Sequence, residues 1–161
     1  MTLAVPTRPR KRFDSPQQEV FLNLWRTYDR LRAYEDELFA RFDLTAQQYN
    51  ALRLLRAAHP GKVPTLSVAA RLVSRAPDIT RLLDKLAARG LIERERPADN
   101  RRVVNVGITA DGLALLDTLA ADVRACHERQ LGHLSEEEMA VLAALLRKAR
   151  QPHEPQANAW R

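Results

Sequence analysis

The sequence has little of what several common classes of protein require. It holds 1 cysteine in 161 residues, so we expect no internal disulfide, in agreement with a reducing cytoplasm. No apolar run approaches the roughly 18 residues of a membrane span, and no apolar stretch follows the basic N-terminal residues as it would in a secretory signal. We therefore expect a soluble, cytoplasmic protein with no membrane partner.

Motifs for nucleotide, metal or catalytic chemistry are also scarce. The 5 glycines never form a G-x-G-x-x-G or a phosphate loop with a following lysine. The 4 histidines show no i,i+3 or i,i+4 pairing and no nearby cysteine pair, so zinc ligation has little support. Glu136, Glu137 and Glu138 look like a carboxylate cluster, but acids suit the first turn of the helix predicted there. We expect no enzyme, no cofactor and no metal site.

What the sequence has in excess is basic charge. Its length suits one domain, and 45% hydrophobic with 29% charged residues is ordinary for a globular one. The 26 Lys and Arg residues outnumber the 20 Asp and Glu residues, which gives a net charge of +6. This charge favours an anionic partner, which could be nucleic acid, an acidic membrane surface or an acidic protein.

The two ends of the chain are predicted to lie outside the domain. Most of the charged residues among residues 1–15 are basic, and Pro6 and Pro9 interrupt any helix. We therefore expect a disordered basic arm. Residues 151–161 hold prolines and no periodicity, which indicates a tail. The domain itself is expected over residues 16–150.

Four amphipathic helices are predicted, each beginning after a Ser or Thr cap. Their apolar residues recur at spacings of three and four. The caps are Ser15, Thr45, Thr109 and Ser135, and the helices run over about 16–41, 46–58, 110–131 and 136–149. The long helices at both ends leave more apolar surface than the segment between them can cover, which favours association.

Residues 65–116 are the stretch that organises the chain, because they predict two short helices followed by a charged β-hairpin. The two helices are expected over residues 66–73 and 77–89. Apolar residues of the second helix share one arc. The other arc holds Asp78, Arg81, Lys85 and Arg89. Such an arc is either an ordinary solvated face or a surface suited to an anionic groove.

The hairpin is indicated by turn residues between two strand-like runs. Gly90 suits the left-handed conformation that ends a helix, residues 91–96 and 103–108 predict strands, and residues 97–100 supply the turn. Arginines are concentrated beside the tip: Arg94, Arg96, Arg101 and Arg102. Such a tip can reach a phosphate backbone or a minor groove. The pattern predicts a mainly α fold with a small β component, the winged helix-turn-helix.

Four motifs follow one another in and after the second helix. They are residues 79–86 (ITRLLDKL), residues 89–94 (RGLIER), the pair Asp99-x-Arg101, and residues 108–112 (Ile-Thr-x-x-Gly). Together they resemble the multiple-antibiotic-resistance regulator (MarR) family of bacterial transcription factors. The resemblance covers about residues 16–150. It implies a homodimer, with a DNA-reading head over about 62–109 and dimerisation helices over about 16–41 and 109–150. It also implies that residues 62–65 add a third strand to the hairpin.

The resemblance implies a DNA-binding transcriptional regulator, commonly a repressor, on a pseudo-palindromic operator in double-stranded DNA. The implied DNA contacts are Ser74, Arg75, Pro77, Asp78, Arg81, Lys85, Arg101 and Arg102. Arg81 is the expected base reader, because its fork matches guanine. Asp78 either accepts from cytosine or satisfies the first-turn amides of its own helix. Asp99 is expected to pair with Arg101 or a nearby backbone amide, and Asp84 is expected to be structural and to pair with a wing arginine.

The resemblance also implies a small aromatic or anionic effector between the dimerisation helices and the reading head. The residues implied are Trp25, Tyr28, Tyr49 and Arg53; the alternative is that these aromatics are plain core. Cys126, late in the fifth helix, is expected to be a packed thiol rather than an oxidant sensor. The competing function from another class is a winged helix that binds an acidic protein partner.

Overall fold

A computed structural model describes residues 12–74 and 78–154 of the chain. These residues form α1 (Pro16–Ala40), α2 (Ala46–Ala58), β1 (Val63–Pro64), α3 (Thr65–Arg71), α4 (Ile79–Ala88), β2 (Ile92–Glu95), β3 (Asn105–Ile108), α5 (Ala110–Leu131), α6 (Glu136–Arg150) and a 3-10 turn, Gln151–His153. The predicted mainly α fold is confirmed. Of the predicted arm and tail, residues 1–11 and 155–161 lie outside the described residues. None of the described helices combines the length and apolar character needed to cross a lipid bilayer.

The four predicted helix caps are all present. The hydroxyls of Ser15, Thr45, Thr109 and Ser135 each accept a hydrogen bond from the backbone amide three residues on, at 3.1 to 3.2 Å. Thr45 and Ser135 form full capping boxes, since the side chain three residues on also accepts from the amide of the cap. The caps satisfy amides that a first helical turn leaves without a partner, so these helices begin where the sequence predicts.

The three strands form one antiparallel sheet in the order β1-β3-β2. Gly90, at φ +69°, turns the chain from α4 towards β2, as predicted. Residues 92–108 form the wing, which comprises β2, β3 and the connection between them. Its turn is closed by hydrogen bonds from the Asn100 amide to the Pro97 carbonyl (3.2 Å) and from the Val103 amide to the Asn100 carbonyl (3.1 Å). The pairing of β1 with β3 confirms the third strand that the resemblance implied.

The hydrophobic core joins the reading head to α5. Its largest fully buried side chains come from α2, α3, α4, β3 and α5: Leu52, Leu55, Val68, Leu83, Leu86, Val106 and Leu119. Gly112 lies in the first turn of α5, where a Cβ would come within 2.2 Å of the Leu91 carbonyl oxygen. Glycine therefore permits α5 to pack directly against the backbone that leads into β2. The head and α5 form one packed unit.

The first half of α1 and all of α6 are packed differently. Large apolar side chains of both helices remain exposed: Val20, Phe21, Leu22, Leu24, Trp25 and Tyr28 in α1, and Met139, Val141, Leu142 and Leu145 in α6. All residues of α6 lie in the described part of the chain, and none of them is buried. These stripes are the uncovered apolar surface that the sequence predicts.

Several predicted boundaries need correction. α3 begins at Thr65 rather than at residue 66, and β2 and β3 are shorter than the predicted strands over residues 91–96 and 103–108. α4 begins at Ile79 rather than at residue 77, because Asp78 is its N-cap. α3 ends at Arg71 rather than at residue 73, because the Val73 amide donates to the Asn50 side chain at 3.1 Å instead of continuing the helix. The predicted tail begins with a short 3-10 turn that follows α6 directly.

Candidate nucleic-acid interface

α4 buries one face and exposes the other, as its periodicity predicts. Leu82, Leu83 and Leu86 are buried, whereas Arg81 and Lys85 are exposed. Because the apolar face holds the helix against the core, the cationic face has a fixed direction. α4 therefore presents a guanidinium and an ammonium group on a surface that the rest of the head leaves open.

Asp78 has a structural role at the start of α4. Its Oδ1 accepts a hydrogen bond from the Arg81 amide at 2.9 Å, so it caps the helix. This is one of the two roles that the sequence leaves open, and the contact to cytosine stays a prediction. Since the cap orders the first turn, it also fixes the point at which the Arg81 side chain leaves the helix.

An arginine of β2 ties the wing to α4. Arg94 donates from Nη1 to Asp84 Oδ1 at 2.6 Å and from Nη2 to the Thr80 carbonyl oxygen at 3.3 Å. The structure thus places Asp84 against a wing arginine, the contact expected from the sequence. The Arg94 side chain is 31% exposed and that of Asp84 is 56% exposed, so the pair lies at the surface of the head. It joins α4 to the wing.

On the other face of the sheet, Lys62 joins two glutamates of β2. Its Nζ lies 3.1 Å from Glu93 Oε1 and 2.7 Å from Glu95 Oε2. Hydrogen bonds to Glu95 and Glu93 raise the pKa of Lys62, so the ammonium stays charged. The Lys62 stem crosses Gly107, where a Cβ would lie 2.9 Å from the lysine Cγ. Sequence reasoning missed Lys62, because this contact depends on the register of the strands.

The tip of the wing is held by Asn100 rather than by Asp99. Asn100 Oδ1 accepts from the Arg102 amide at 3.2 Å, and Arg96 donates from Nη1 to the Arg101 carbonyl oxygen at 2.9 Å. Among the described residues, Asp99 makes neither the expected pairing with Arg101 nor a hydrogen bond to a backbone amide. Asn100, rather than Asp99, therefore holds the shape of the hairpin turn. Its side chain accepts from the amide two residues on, as in an Asx turn.

Arg89, which the sequence groups with the polar arc of α4, binds elsewhere. It donates from Nη1 to the Asp43 carbonyl oxygen at 2.6 Å and from Nη2 to the Phe42 carbonyl oxygen at 3.1 Å. Asp43 has a left-handed backbone, at φ +52°, in the connection between α1 and α2. Arg89 therefore joins the C-terminal end of α4 to the end of α1, and its fork is engaged within the protein.

The remaining predicted DNA contacts are placed only in part. Ser74, Arg101 and Arg102 are exposed, the last two at the tip of the wing. Arg75 and Pro77 lie outside the described residues. Exposed arginines on a wing beside an exposed cationic helix form one surface suited to a polyanion.

Two of the predicted effector residues line one cavity. Tyr49 and Arg53 of α2 border a space of about 520 Å³ that α5 closes on its other side, together with Arg56, Ala57, Leu116, Ala120 and Val123. Burial raises the pKa of the Tyr49 phenol, and the charge of Arg53 opposes that rise. The Arg56 Nη2 lies 2.9 Å from Asp117 Oδ1 on α5. The cavity combines apolar walls with two guanidinium groups.

Trp25 and Tyr28, the other two predicted effector residues, are not brought to this cavity. Trp25 lines a separate groove on α1 with Phe21 and Leu24, and both Trp25 and Tyr28 are exposed. Within one chain they are therefore neither part of this cavity nor plain core. Tyr49 does pack as core would, since its ring stacks on Phe39 with centroids 4.5 Å apart.

Cys126 is buried in α5, as expected of a packed thiol. Burial raises the pKa of this thiol, and nearby Glu35 raises it further. The thiolate, which is the reactive form, is therefore scarce at neutral pH.

The chain is similar to transcription factors of one family. A family model described as the MarR family matches residues 44–104, from the end of the α1–α2 connection to the return strand of the wing. A solved structure of a MarR transcription factor from Planctomyces limnophilus is 57% identical, with a TM-score of 0.68, and the match covers 84% of this chain and 98% of that one. The chain belongs to the MarR family.

Two further relatives of this MarR-family chain are less similar to it. The transcriptional regulator HosA of Escherichia coli O157:H7 is 32% identical over 106 residues, which make up 66% of this chain and 77% of HosA. BpsR of Bordetella bronchiseptica, whose DNA binding is regulated by 6-hydroxynicotinic acid, is 26% identical with a TM-score of 0.74, over 84% of this chain and 95% of BpsR. The chain is a DNA-binding transcriptional regulator, and none of these findings favours a module for acidic proteins.

Proposed function

We propose that this MarR-family chain is a repressor that binds a pseudo-palindromic operator as a homodimer and is released by a small aromatic or anionic effector. The observation that supports operator recognition most directly is the exposed face of α4. There Arg81 and Lys85 project beside a wing that Arg94 fastens to the same helix. A cationic helix and a cationic hairpin held at one distance can contact one stretch of duplex together.

The proposed reading of bases centres on Arg81. An α-helix fits the major groove, and an arginine fork pairs with two acceptors of guanine. Arg81 lies in the first turn of α4, after the cap at Asp78, and helix-turn-helix proteins place this end of the helix against base edges. Lys85 lies one turn further along the same face. Ser74, Arg75, Pro77, Asp78, Arg101 and Arg102 are the other proposed contacts.

The proposed dimer covers the exposed apolar side chains of α1 and α6. Large exposed apolar stripes mark association surfaces, and closed two-fold dimers are the commonest oligomers. A two-fold axis presents one copy of α4 to each of two successive major grooves on one face of the duplex. Half-site centres should then lie about 10 base pairs apart.

The proposed effector site is the cavity between α2 and α5. Its apolar walls suit an aromatic ring, and Arg53 suits a carboxylate or phenolate, whereas the charge of Arg56 is balanced by Asp117. Of the four residues that the resemblance implied, Tyr49 and Arg53 line this pocket. α2 also contributes Leu52 and Leu55 to the core that holds α4. A ligand that binds more tightly when α2 and α5 lie at a different distance would therefore also favour a different position of α4.

Selection of bound sequences from random duplex DNA, followed by titration of an Arg81→Ala variant on the recovered operator, tests the reading of bases. We expect one base position per half-site to lose its preference, at a cost of about 1 to 3 kcal/mol. The control is Arg32→Ala, which removes a guanidinium that pairs with Asp36 on α1. A uniform loss over all sequences would make Arg81 a phosphate contact, and recovery of no preferred sequence would refute the proposal.

The effector part of the proposal can be tested on the same operator. We expect aromatic acids such as 6-hydroxynicotinic acid to release the wild-type chain. Arg53→Gln should need about tenfold more of the acid, because it loses a charge-assisted hydrogen bond. The control is Arg30→Gln, which removes an exposed guanidinium of α1 that does not line this cavity and should respond as the wild type does. An equal response of wild type and Arg53→Gln would remove this cavity from the effector site.

A further inference from the structure

The wing sheet sorts its charges by face. Successive side chains of a strand point to opposite faces, and β2 alternates acids with arginines over residues 93–96. Glu93 and Glu95 both contact Lys62, on the face that Lys62 crosses at Gly107. Arg94 reaches α4 from the other face. The wing therefore has one acidic face, with Lys62 between two glutamates, and one face that carries arginines, of which Arg94 reaches α4.

A cleft of about 310 Å³ opens on the arginine-bearing face. It lies between the starts of α3 and α4 and the wing. Its polar lining residues are Thr65, Thr80, Arg94, Arg96 and Arg102, and its apolar ones are Pro64, Leu66, Val103 and Val104. The cleft thus adjoins the end of α4 that carries Arg81. A duplex whose major groove receives α4 presents the phosphates that border that groove to this side of the head.

The three arginines of the cleft differ in how their charge is balanced. Arg94 is paired with Asp84 at 2.6 Å, so its charge is largely neutralised. Arg96 donates to the Arg101 carbonyl oxygen at 2.9 Å, which orients its guanidinium without balancing its charge. Among the described residues, Arg102 has no carboxylate within 4.0 Å. Arg96 and Arg102 therefore line the cleft with no carboxylate partner among the described residues.

We propose that this cleft seats one backbone phosphate of the operator, with Arg96 and Arg102 as its two cationic contacts. This inference rests on the proposed function and gives a defined contact to Arg96, which the sequence placed only among the arginines beside the wing tip. Guanidinium forks match phosphate oxygens in charge and geometry. The glutamates on the opposite face repel phosphate, so the wing accepts the duplex from one side only.

The first test compares the two faces of the sheet by the salt dependence of operator binding. Arg96→Ala should lower the slope of log K against log salt by about 1, as the loss of one phosphate contact does. The matched control is Lys62→Met, which removes one positive charge from the opposite face and keeps an unbranched stem across Gly107. Its slope should equal that of the wild type. Far-ultraviolet circular dichroism and thermal melting show whether each variant is folded.

The second test locates the phosphate. Neutral methylphosphonates replace the operator phosphates one at a time, and each substituted duplex is titrated with wild type, Arg96→Ala and Arg102→Ala. At one position per half-site, we expect the methylphosphonate to lower the affinity of the wild type about tenfold. At that position it should not lower the affinity of either variant further, because the variant already lacks the contact. Both variants should identify the same phosphate. Excess inorganic phosphate should compete only weakly, because a free ion lacks the rest of the duplex.

Three results would overturn the phosphate site while leaving the proposed function intact. The first is an unchanged salt slope for folded Arg96→Ala on an operator that the wild type binds, and the second is an equal change of slope for Lys62→Met. The third is coupling of Arg96 and Arg102 to different phosphates. Tight competition by inorganic phosphate would make the cleft a site for a free anion instead. Failure of the wild type to bind any duplex would refute both the phosphate site and the proposed function.

Discussion

Leu83 of α4 and Trp25 of α1 are both large apolar residues on helices with a clear apolar stripe. Leu83 is 0% exposed, whereas Trp25 is 64% exposed. The same contrast separates the reading head from the end helices, α1 and α6. In the head, most apolar side chains meet partners in their own chain, with Leu66 and Val73 as exposed exceptions among the described residues. In the end helices, the apolar stripes face outwards.

This comparison shows that helical periodicity predicts which residues need a partner, but not whether the partner belongs to the same chain. α4 and α6 both carry clear apolar stripes, yet α4 buries Leu82, Leu83 and Leu86 while α6 buries no residue. One chain completes the head. A second copy is the proposed partner of the end helices, and three variants separate the two cases.

The largest expected effect comes from a charge placed on the exposed stripe of α1. Phe21→Glu should give a folded monomer, because the dimer would have to bury the new carboxylate. Affinity for the operator should fall to the non-specific level, about 10³-fold or more. Sedimentation velocity and gel-shift titration measure the two outcomes.

The control for this variant is Gln17→Glu, which adds the same charge to the same helix at an exposed polar position. It should stay dimeric and bind the operator as the wild type does. A Phe21→Glu chain that sediments as a dimer would show that α1 is not the covered surface. Leu145→Glu repeats the experiment on α6.

A smaller effect is expected from the core of the head. Leu83→Ala should lower the free energy of unfolding by about 2 to 5 kcal/mol, because it leaves a cavity among fully buried neighbours. Denaturant titration measures the loss. Leu66→Ala is the matched control, since Leu66 is 79% exposed and should change stability by no more than about 0.5 kcal/mol. Equal losses in the two variants would contradict the described core.

The smallest expected effect concerns the link between the two regions. Arg89→Met should destabilise the chain by about 1 kcal/mol through the loss of its hydrogen bonds to the Phe42 and Asp43 carbonyls. The salt slope of operator binding should not change, because this guanidinium is engaged within the protein. Lys85→Met provides the contrast, with a slope about 1 lower if Lys85 meets a phosphate. A lower slope for Arg89→Met would return Arg89 to the DNA interface.

The parts of the fold that depend on neighbouring residues could be predicted from the sequence. Ser135 caps α6 because its hydroxyl needs only the amide three residues on. Gly90 ends the turn after α4 because its own backbone allows a positive φ. The exposed arc of α4, with Arg81 and Lys85, follows from helical geometry once Leu82, Leu83 and Leu86 are assigned to the core.

Contacts between distant residues could not be predicted in this way. The hydrogen bond from Arg89 to Asp43 spans 46 positions, and that from Lys62 to Glu95 spans 33. Periodicity assigned Arg89 to the polar arc but could not show which backbone carbonyls lie beside it. The resemblance grouped Trp25 with Tyr49 in one effector site, although the paths of α1 and α2 separate their side chains within one chain. At the wing tip, Asp99 and Asn100 have the same turn chemistry, and only the backbone decides between them.

The link through Arg89 makes the C-terminal end of α4 a pivot. Arg81 precedes Arg89 by 8 positions, so the far end of α4 at Arg81 lies about 12 Å along the helix axis from that pivot. A rotation of only about 4° about the pivot moves the far end by about 1 Å. A hydrogen bond to a base is lost over such a distance, because its donor and acceptor must stay within about 2.7 to 3.2 Å. If α4 turned about this end with a slight change in the angle of α1, the base contact proposed for Arg81 would therefore be lost.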